Sequence, residues 1–386
     1  VLEKALTGSK KYYAWIGLLL VLIMAGLCAY LKQFNVGLGI TGMSRDVTWG
    51  LYISQFTFMV GVAASAVMVA IPYYLHDYKK FGKIVILGEF LAVSAVIVCM
   101  LFIFVDMGQP ARFLNIILHP TPHSVMFWDM CVLLGYLLLN LVIGWTVLGA
   151  EKKEIPPPHW AKILSYVAIP WAISIHTVTA FLYAGLPGRY YWLSAIMAAR
   201  FLSSAFAAGP ALLILLCLVL RRVTTLKTSP EAIQSLAKIV TYAMIANVFF
   251  FMLEVFTAFY SNIPSHMESL RYLFVGLDGH NNLVPFMWAA GILAFIGIFL
   301  LLVPKFRRNE KILAGALISV FVAAWLDKGL GLVLGGFVPN AFNRVTEYIP
   351  SGTELTVILG VYAIGILLLT VFYKIVVEVR KEDYSI

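Results

Sequence analysis

The sequence predicts an all-α protein that crosses a lipid bilayer about ten times. Three observations carry that expectation. Only 12% of the residues are charged and 61% are hydrophobic, whereas a soluble domain carries about 25% charged residues. Apolar runs of span length recur along the whole chain. The breaks between them alternate between basic and aromatic character.

A helix needs about 20 apolar residues to cross the hydrocarbon core. Ten segments qualify: 13–33, 49–76, 84–105, 124–150, 160–186, 192–220, 238–260, 283–304, 312–338 and 355–378. DYKKFGK follows the second, EKKEIPPPH the fourth, RRVTTLKTSPEAIQ the sixth and KFRRNEK the eighth. With an even number of spans these four breaks share one face with both chain ends. That face then gathers most of the 28 Lys and Arg residues. The positive-inside rule assigns it to the cytoplasm, so the protein is expected in the cell (cytoplasmic) membrane with both termini inside. The first dozen residues lack a small-residue cleavage site, so the first apolar segment reads as a retained span.

The formal charge of +9 would suggest nucleic acid in a soluble chain. Here the bases sit in short loops, where they set topology and meet anionic lipid headgroups. No nucleic-acid motif competes. Cys28, Cys99, Cys131 and Cys217 are scattered through apolar segments without a C-x-x-C. They read as small apolar fillers, not as ligands of a metal or cluster. The outer breaks 106–123, 261–282 and 339–354 are longer and mix aromatics, His, Asn and Pro. They read as surfaces for docking.

Ionisable residues inside a span are costly and mark function by default. Glu89 falls in the cytoplasmic third of the third span, and Asp106 closes that span at the outer surface. Asp129 opens the fourth span. His176 lies in the outer half of the fifth, on one face with Thr179 and Tyr183. Arg200 and Glu254 lie toward the outside of the sixth and seventh, and Asp327 and Lys328 near the middle of the ninth. If spans two to five and six to nine form separate bundles, one holds Asp106, Asp129 and His176. The other holds Arg200, Glu254, Asp327 and Lys328, a set that can neutralise itself as an ion-pair network or carry protons. Arg45, Arg112 and Arg189 are outer-loop cations for which headgroup screening is the plain reading.

Of seven histidines, only His176 is deep. One deep His cannot supply bis-His ligation, so no haem b is expected in this chain. It also has no iron–sulfur or dinucleotide motif. Any electron chemistry then requires a mobile carrier from the lipid and metal centres on a partner.

Four stretches carry a family likeness: DVTWGLYISQF at 46–56, DMGQPARFLNIILHPTPHSVMFWD at 106–129, SIHTVTAFLYAGLPGRYYW at 174–192 and ARFLSSAFAAGPALL at 199–213. Together they resemble the NrfD-like membrane subunits of polysulfide-reductase-type complexes. Within that family the likeness is greatest to the DsrP-type subunit of sulfite-reduction-associated DsrMKJOP complexes. The resemblance implies a first span and N-terminal segment (1–48), a first four-helix bundle with a quinone site (49–186), a second bundle (192–338) and a last span with its tail (339–386). It implies a menaquinone-type carrier and respiratory sulfite or sulfate metabolism. The implied partners are an extracytoplasmic iron–sulfur protein, a multihaem cytochrome c, a haem-b membrane subunit and a cytoplasmic iron–sulfur subunit, of DsrO, DsrJ, DsrM and DsrK type. The family's acidic-Gly motif falls on Asp106 and Gly108, and its mid-bundle His on His176. Gln109 stands where relatives often carry Arg, with Arg112 nearby, so a role taken over from that Arg does not transfer directly.

Quinol oxidation releases two electrons and two protons, and an acceptor must hydrogen-bond the hydroxyl being deprotonated. His176 suits that task. Asp106 or Asp129 would orient it or pass the proton outward. Trp49, Tyr52, Gln55, Arg112 and Tyr183 are candidates for the walls and polar contacts of a headgroup pocket. Glu89, Glu254, Asp327, Lys328 and Arg200 are candidates for a proton path. Two rivals stay open: a cofactor-free anchor for redox partners, and a secondary transporter with helices interrupted at Pro170, Pro210 and the Gly-rich 329–336. Whether the chain is non-catalytic alone or the quinol-oxidising (quinone-reducing) subunit of its complex also stays open.

Overall fold

The computed structural model describes residues 7–382 except Asp77, Thr225 and Lys227, and without the side chains of 381 and 382. The extreme termini and those three positions in the basic breaks, on which part of the orientation argument rests, lie outside the described residues. Among the described residues ten helices are long and apolar enough to cross a membrane: Lys10–Val36, Leu51–Leu75, Lys79–Asp106, Val125–Lys152, His159–Ala184, Met197–Val223, Pro230–Tyr260, Val284–Leu302, Glu310–Gly335 and Gly352–Arg380. Helices are the economical answer here, because a helix satisfies its own N–H and C=O groups where no water can. The expected all-α, ten-span architecture is the one observed.

Two spans are irregular. The second is α-helical over Leu51–Ala63 and Ser65–Ala70 and then widens into a π turn, Ile71–Leu75, around Pro72. The ninth carries a seven-residue π segment, Trp325–Gly331, between Glu310–Ala324 and Leu332–Gly335. Pro170 and Pro210 sit inside continuous helices. The sixth span begins later than the apolar pattern suggests, because Tyr190–Trp192 forms a separate 3₁₀ turn that buries Trp192. The 261–282 break contains a short helix, Pro264–Phe274.

Spans two, three, four and five pack in series, as do six, seven, eight and nine, and span six also packs on nine. Spans one and ten pair with each other and lie against span three. The two sets meet where the second span crosses the sixth. A Cβ at Gly209 would fall 2.8 Å from the Ser65 backbone N and 3.0 Å from the Val62 carbonyl. The helices thus touch backbone to backbone, as small residues permit in membranes. Spans one and ten use the same device, since a Cβ on Gly26 would lie 2.6 Å from the Cα of Gly360.

The two ends of the bundle differ. At the basic end Lys80 pairs with Glu231, Arg221 with Glu310 at 2.7 Å, and Arg380 with Glu151 at 2.8 Å. At the far end the segment after the ninth span is strapped across the other loops. Thr346 donates to Asp46 at 3.1 Å, and Asn282 donates twice to Glu347 at 2.9 and 2.8 Å. Large apolar side chains such as Val21, Phe256 and Phe295 are exposed around the middle of the bundle. In water such a belt would be an aggregation site; in a bilayer it meets lipid.

Gly209→Leu is expected to lower the thermal midpoint of the detergent-solubilised protein by an overpacking cost of about 1–3 kcal/mol. Gly291→Leu, with open space around it, should not. Equal midpoints for the two variants would show that spans two and six are not in backbone contact.

Candidate functional site

Three polar centres lie in the far half of the bundle, and a fourth lies in the basic half.

The first centre sits among spans two to five and faces the ninth. Asp129, at 3% exposure, accepts a 2.6 Å hydrogen bond from the Thr179 hydroxyl. One turn earlier on that helix face, His176 is buried and its Nδ1 has no partner among the described residues. One turn later, the Tyr183 hydroxyl pairs with that of Thr57 on the second span. The stripe expected at 176, 179 and 183 is therefore a real buried face. Above it stands an aromatic roof. Trp49 stacks on Trp192 with centroids 5.7 Å apart, and Tyr183 meets Trp192 edge-on at 5.0 Å. Phe337 closes the roof at 5.1 Å from Trp192, and the Arg189 guanidinium lies 4.5 Å from the Phe337 ring. Burial pulls Arg189 below its ordinary pKa and Asp46 opposes the shift.

The second centre lies among spans one, two, three and ten. Here the structure corrects the expected grouping, because Asp106 faces this centre and not His176. Its electrostatic neighbours are Glu354, Tyr52 and, from the first centre, Tyr183, and its Oδ1 has no partner among the described residues. The Tyr52 hydroxyl donates to Gln33 Oε1 at 2.6 Å, and Gln33 Nε2 donates to the Val105 carbonyl at 2.7 Å. Gln55 accepts from Trp325 Nε1 at 2.8 Å and from the Tyr362 hydroxyl at 2.6 Å. Tyr52 and Gln55 thus point away from Trp49 and Tyr183, so the expected headgroup walls divide between two centres. Trp49 precedes the helix, which begins at Leu51 after the Gly50 N-cap, so helical spacing does not bind it to the face that carries Tyr52 and Gln55. Arg112 is exposed in a 3₁₀ turn on the far surface and joins neither centre.

Glu354 escaped the sequence reading although it is fully buried. Its carboxylate accepts from Gly42 N at 2.6 Å, Ser351 N at 2.8 Å and the Tyr348 hydroxyl at 2.6 Å. Tyr348 in turn accepts from Leu51 N at 2.9 Å. Burial, then its bond to Glu354, raises the Tyr348 pKa, so the phenol stays a donor. The signal was present: Ser351-Gly-Thr-Glu354 is a capping box at the start of the tenth span.

The third centre is ionic. Arg200 pairs with Glu254 and, at 3.0 Å, with Asp327, while Phe251 covers its guanidinium at 5.0 Å. Lys328 lines one cavity with Arg200 and Asp327 but forms no ion pair with the network among the described residues. The π segment turns it toward the first centre, where it is buried over the Phe201 ring at 4.2 Å and donates to the Phe201 carbonyl at 3.4 Å. It is the charged group that acts on His176. Asn247 lines the same cavity with its Oδ1 unpartnered among the described residues.

The fourth centre is Glu89, at 3% exposure, with Oε2 unpartnered among the described residues. Tyr136, Asn140 and Ser165 line the same cavity.

Helices of membrane-crossing length around buried ionisable groups define an integral, multi-pass membrane protein with a polar interior. The chain belongs to the polysulphide reductase, NrfD family, whose model matches residues 39–338. It is 24% identical to a putative dimethyl sulfoxide reductase membrane subunit of Halobacterium salinarum, over 92% of this chain and 88% of that one. It is 21% identical to an Hdr-like menaquinol oxidoreductase integral membrane subunit of Archaeoglobus fulgidus, over 95% and 93%. It is 20% identical to the integral membrane subunit of a menaquinone reductase of Nitratidesulfovibrio vulgaris, over 94% and 91%.

The contacts of the third and second centres set two stability expectations. Arg200→Met leaves Glu254 and Asp327 uncompensated, at a cost of about 3–5 kcal/mol. Adding Glu254→Gln and Asp327→Asn should recover most of it in thermal unfolding; a triple variant as unstable as the single one would count against the network. Glu354→Ala removes a carboxylate with three donors and should cost about 3 kcal/mol or more. Glu354→Gln, which keeps an acceptor, should lose less in the same measurement.

Proposed function

We propose that this chain is the quinone-handling membrane subunit of a multisubunit oxidoreductase, with its reaction site at the first centre. The observation that carries the proposal is the buried, partnerless Nδ1 of His176 beside the Asp129–Thr179 pair. A buried imidazole nitrogen without a partner costs free energy that folding alone does not recover. A quinol hydroxyl supplies the missing partner. The names of the Archaeoglobus and Nitratidesulfovibrio relatives add the carrier class, a menaquinol or menaquinone.

In this reading His176 takes the proton from the quinol hydroxyl as electrons leave. Asp129, held by Thr179, balances the imidazolium charge and passes the proton toward the far end. The aromatic roof of Trp49, Trp192 and Phe337 keeps bulk water off the reacting ring. The Lys328 amino group faces the same space. Asp106, in the second centre, is the relay to the far surface, with Tyr52 and Glu354 as its neighbours. Glu89 is the waypoint by which the basic end reaches the interior, and Glu254 and Asp327, held by Arg200, form a second relay with Lys328 on the adjacent position. Run in reverse, the site reduces quinone and takes up protons.

The basic end is cytoplasmic on the positive-inside rule, which places the site near the outer surface of the cell membrane. Electrons then pass to an extracytoplasmic iron–sulfur or multihaem cytochrome partner docked on the far-end loops. A haem-b membrane subunit and a cytoplasmic iron–sulfur subunit stand beside them. Service in sulfite or sulfate respiration, with proton translocation, rests on the DsrP-type likeness.

The test is the rate at which a menaquinol analogue reduces the partner's haems in the purified complex. His176→Ala and Asp129→Asn should slow it about 100-fold or more, with all subunits still present. Phe295→Ala, on the lipid-facing surface, should not change it. A wild-type rate in His176→Ala would move the reaction out of the first centre.

A further inference from the structure

The Glu89 centre has a donor–acceptor imbalance that a proton waypoint alone does not explain. Glu89 is buried in the basic half of the third span, and no cationic side chain among the described residues pairs with it. Its neighbours are polar, but the two hydroxyls among them spend their hydrogens elsewhere. The Tyr136 hydroxyl donates to the Ala63 carbonyl at 3.3 Å. The Ser165 hydroxyl donates to the Ala161 carbonyl at 3.0 Å. The Asn140 amide is anchored through one Nδ2 hydrogen on the Tyr136 carbonyl at 2.8 Å, which leaves its second N–H as a donor and its Oδ1 as an acceptor. A hydroxyl has one hydrogen, so Tyr136 and Ser165 offer only lone pairs to the cavity they share with Glu89.

That cavity has room for about one water-sized sphere, about 10 Å³, and is otherwise walled by small or aliphatic residues, among them Ala66, Ala70 and Ala168. Span four leaves room beside the carboxylate, because a Cβ at Gly144 would come within 3.2 Å of Glu89 Oε2. Tyr74, in the π turn of the second span, stands next to Ser165 and Glu89 on the basic side.

We propose that Glu89, Asn140, Ser165 and Tyr136 form a binding site for a desolvated sodium ion entering from the basic end. Hard cations take oxygen ligands from carboxylate, amide and hydroxyl groups. One carboxylate in a low-dielectric interior is neutralised by one positive charge, so a monovalent ion fits where a divalent ion would leave an excess. Protons compete for the same oxygen. The proposal rests on the reading of Glu89 as an uptake point and is independent of quinol chemistry at His176.

The experiment is equilibrium binding of radiolabelled sodium to the purified complex, with dicyclohexylcarbodiimide labelling of Glu89 read by mass spectrometry. Wild type should retain sodium saturably, lose it on acidification, and be protected by sodium from labelling. Glu89→Gln should abolish retention. The milder Ser165→Ala and Gly144→Ala should weaken it by about 10- to 100-fold, which keeps the test decisive if Glu89→Gln fails to assemble. His176→Ala, which loses quinol oxidation, should bind sodium normally, so the two readings fail separately. Absence of saturable sodium binding to wild type, or labelling of Glu89 indifferent to sodium, would make Glu89 a proton carrier only and overturn the proposal. Undiminished retention in Glu89→Gln would overturn it as well.

Discussion

In hydrocarbon a charge has no water to turn to, and this protein answers that constraint separately for each charged group it buries. Arg200 receives two carboxylates and an aromatic face. Glu354 receives two backbone N–H groups and a phenol. Lys328 receives a carbonyl and a ring. These arrangements tie spans six, seven and nine together, and they tie the loops before span two to the start of span ten. Against that background several buried polar atoms are left without a partner among the described residues, and three of them belong to ionisable groups outside the ionic network: His176 Nδ1, Asp106 Oδ1 and Glu89 Oε2. Each occurs where a mobile species could complete it.

The π segment of the ninth span decides how the two halves communicate. In a regular helix, consecutive residues already diverge by about 100°. The wider turn puts Asp327 into the Arg200 network and its neighbour Lys328 under the first centre. The close crossing of spans two and six brings Gly61 within reach of that ammonium, since a Cβ there would lie 3.4 Å from Lys328 Nζ. The ionic network of one half and the acid–base face of the other are thus linked by two adjacent residues on one turn of backbone.

The far end is built as a cover. The strap after the ninth span runs from Phe337 in the aromatic roof, through Thr346 and Glu347, to Tyr348 and Glu354. It binds the loops at Gly42, Asp46 and Asn282 on its way. Membrane helices are rigid and loops are the adjustable parts. A cover held by a few hydrogen bonds over a packed aromatic cluster keeps water from the buried face while leaving the loop surface free to meet a partner.

The span count was legible in the sequence because length and apolarity are one-dimensional properties, fixed by the thickness of the bilayer. So was the face at 176, 179 and 183, because helical phase within one span follows from counting residues. The cost of burying charge also flagged Arg200, Glu254 and Asp327 as a set. Partnership across spans was not legible. Asp106 and Asp129 look alike in sequence, yet one turns to Glu354 and the other to Thr179, because neighbouring helices meet at rotations that no single segment records. Glu354 was missed because a Glu at the edge of a span resembles a solvated end until a loop is folded over it. That Lys328 shares a cavity with Arg200 and Asp327 yet donates to the Phe201 carbonyl was not legible either, because a π turn changes phase without an unambiguous mark in the residues. The sequence by itself determined the number, length and polar inventory of the spans, through the energetics of hydrocarbon. Only the tertiary structure decided which polar groups meet and which remain without a partner, because that depends on how rigid helices rotate and cross to satisfy all of them at once.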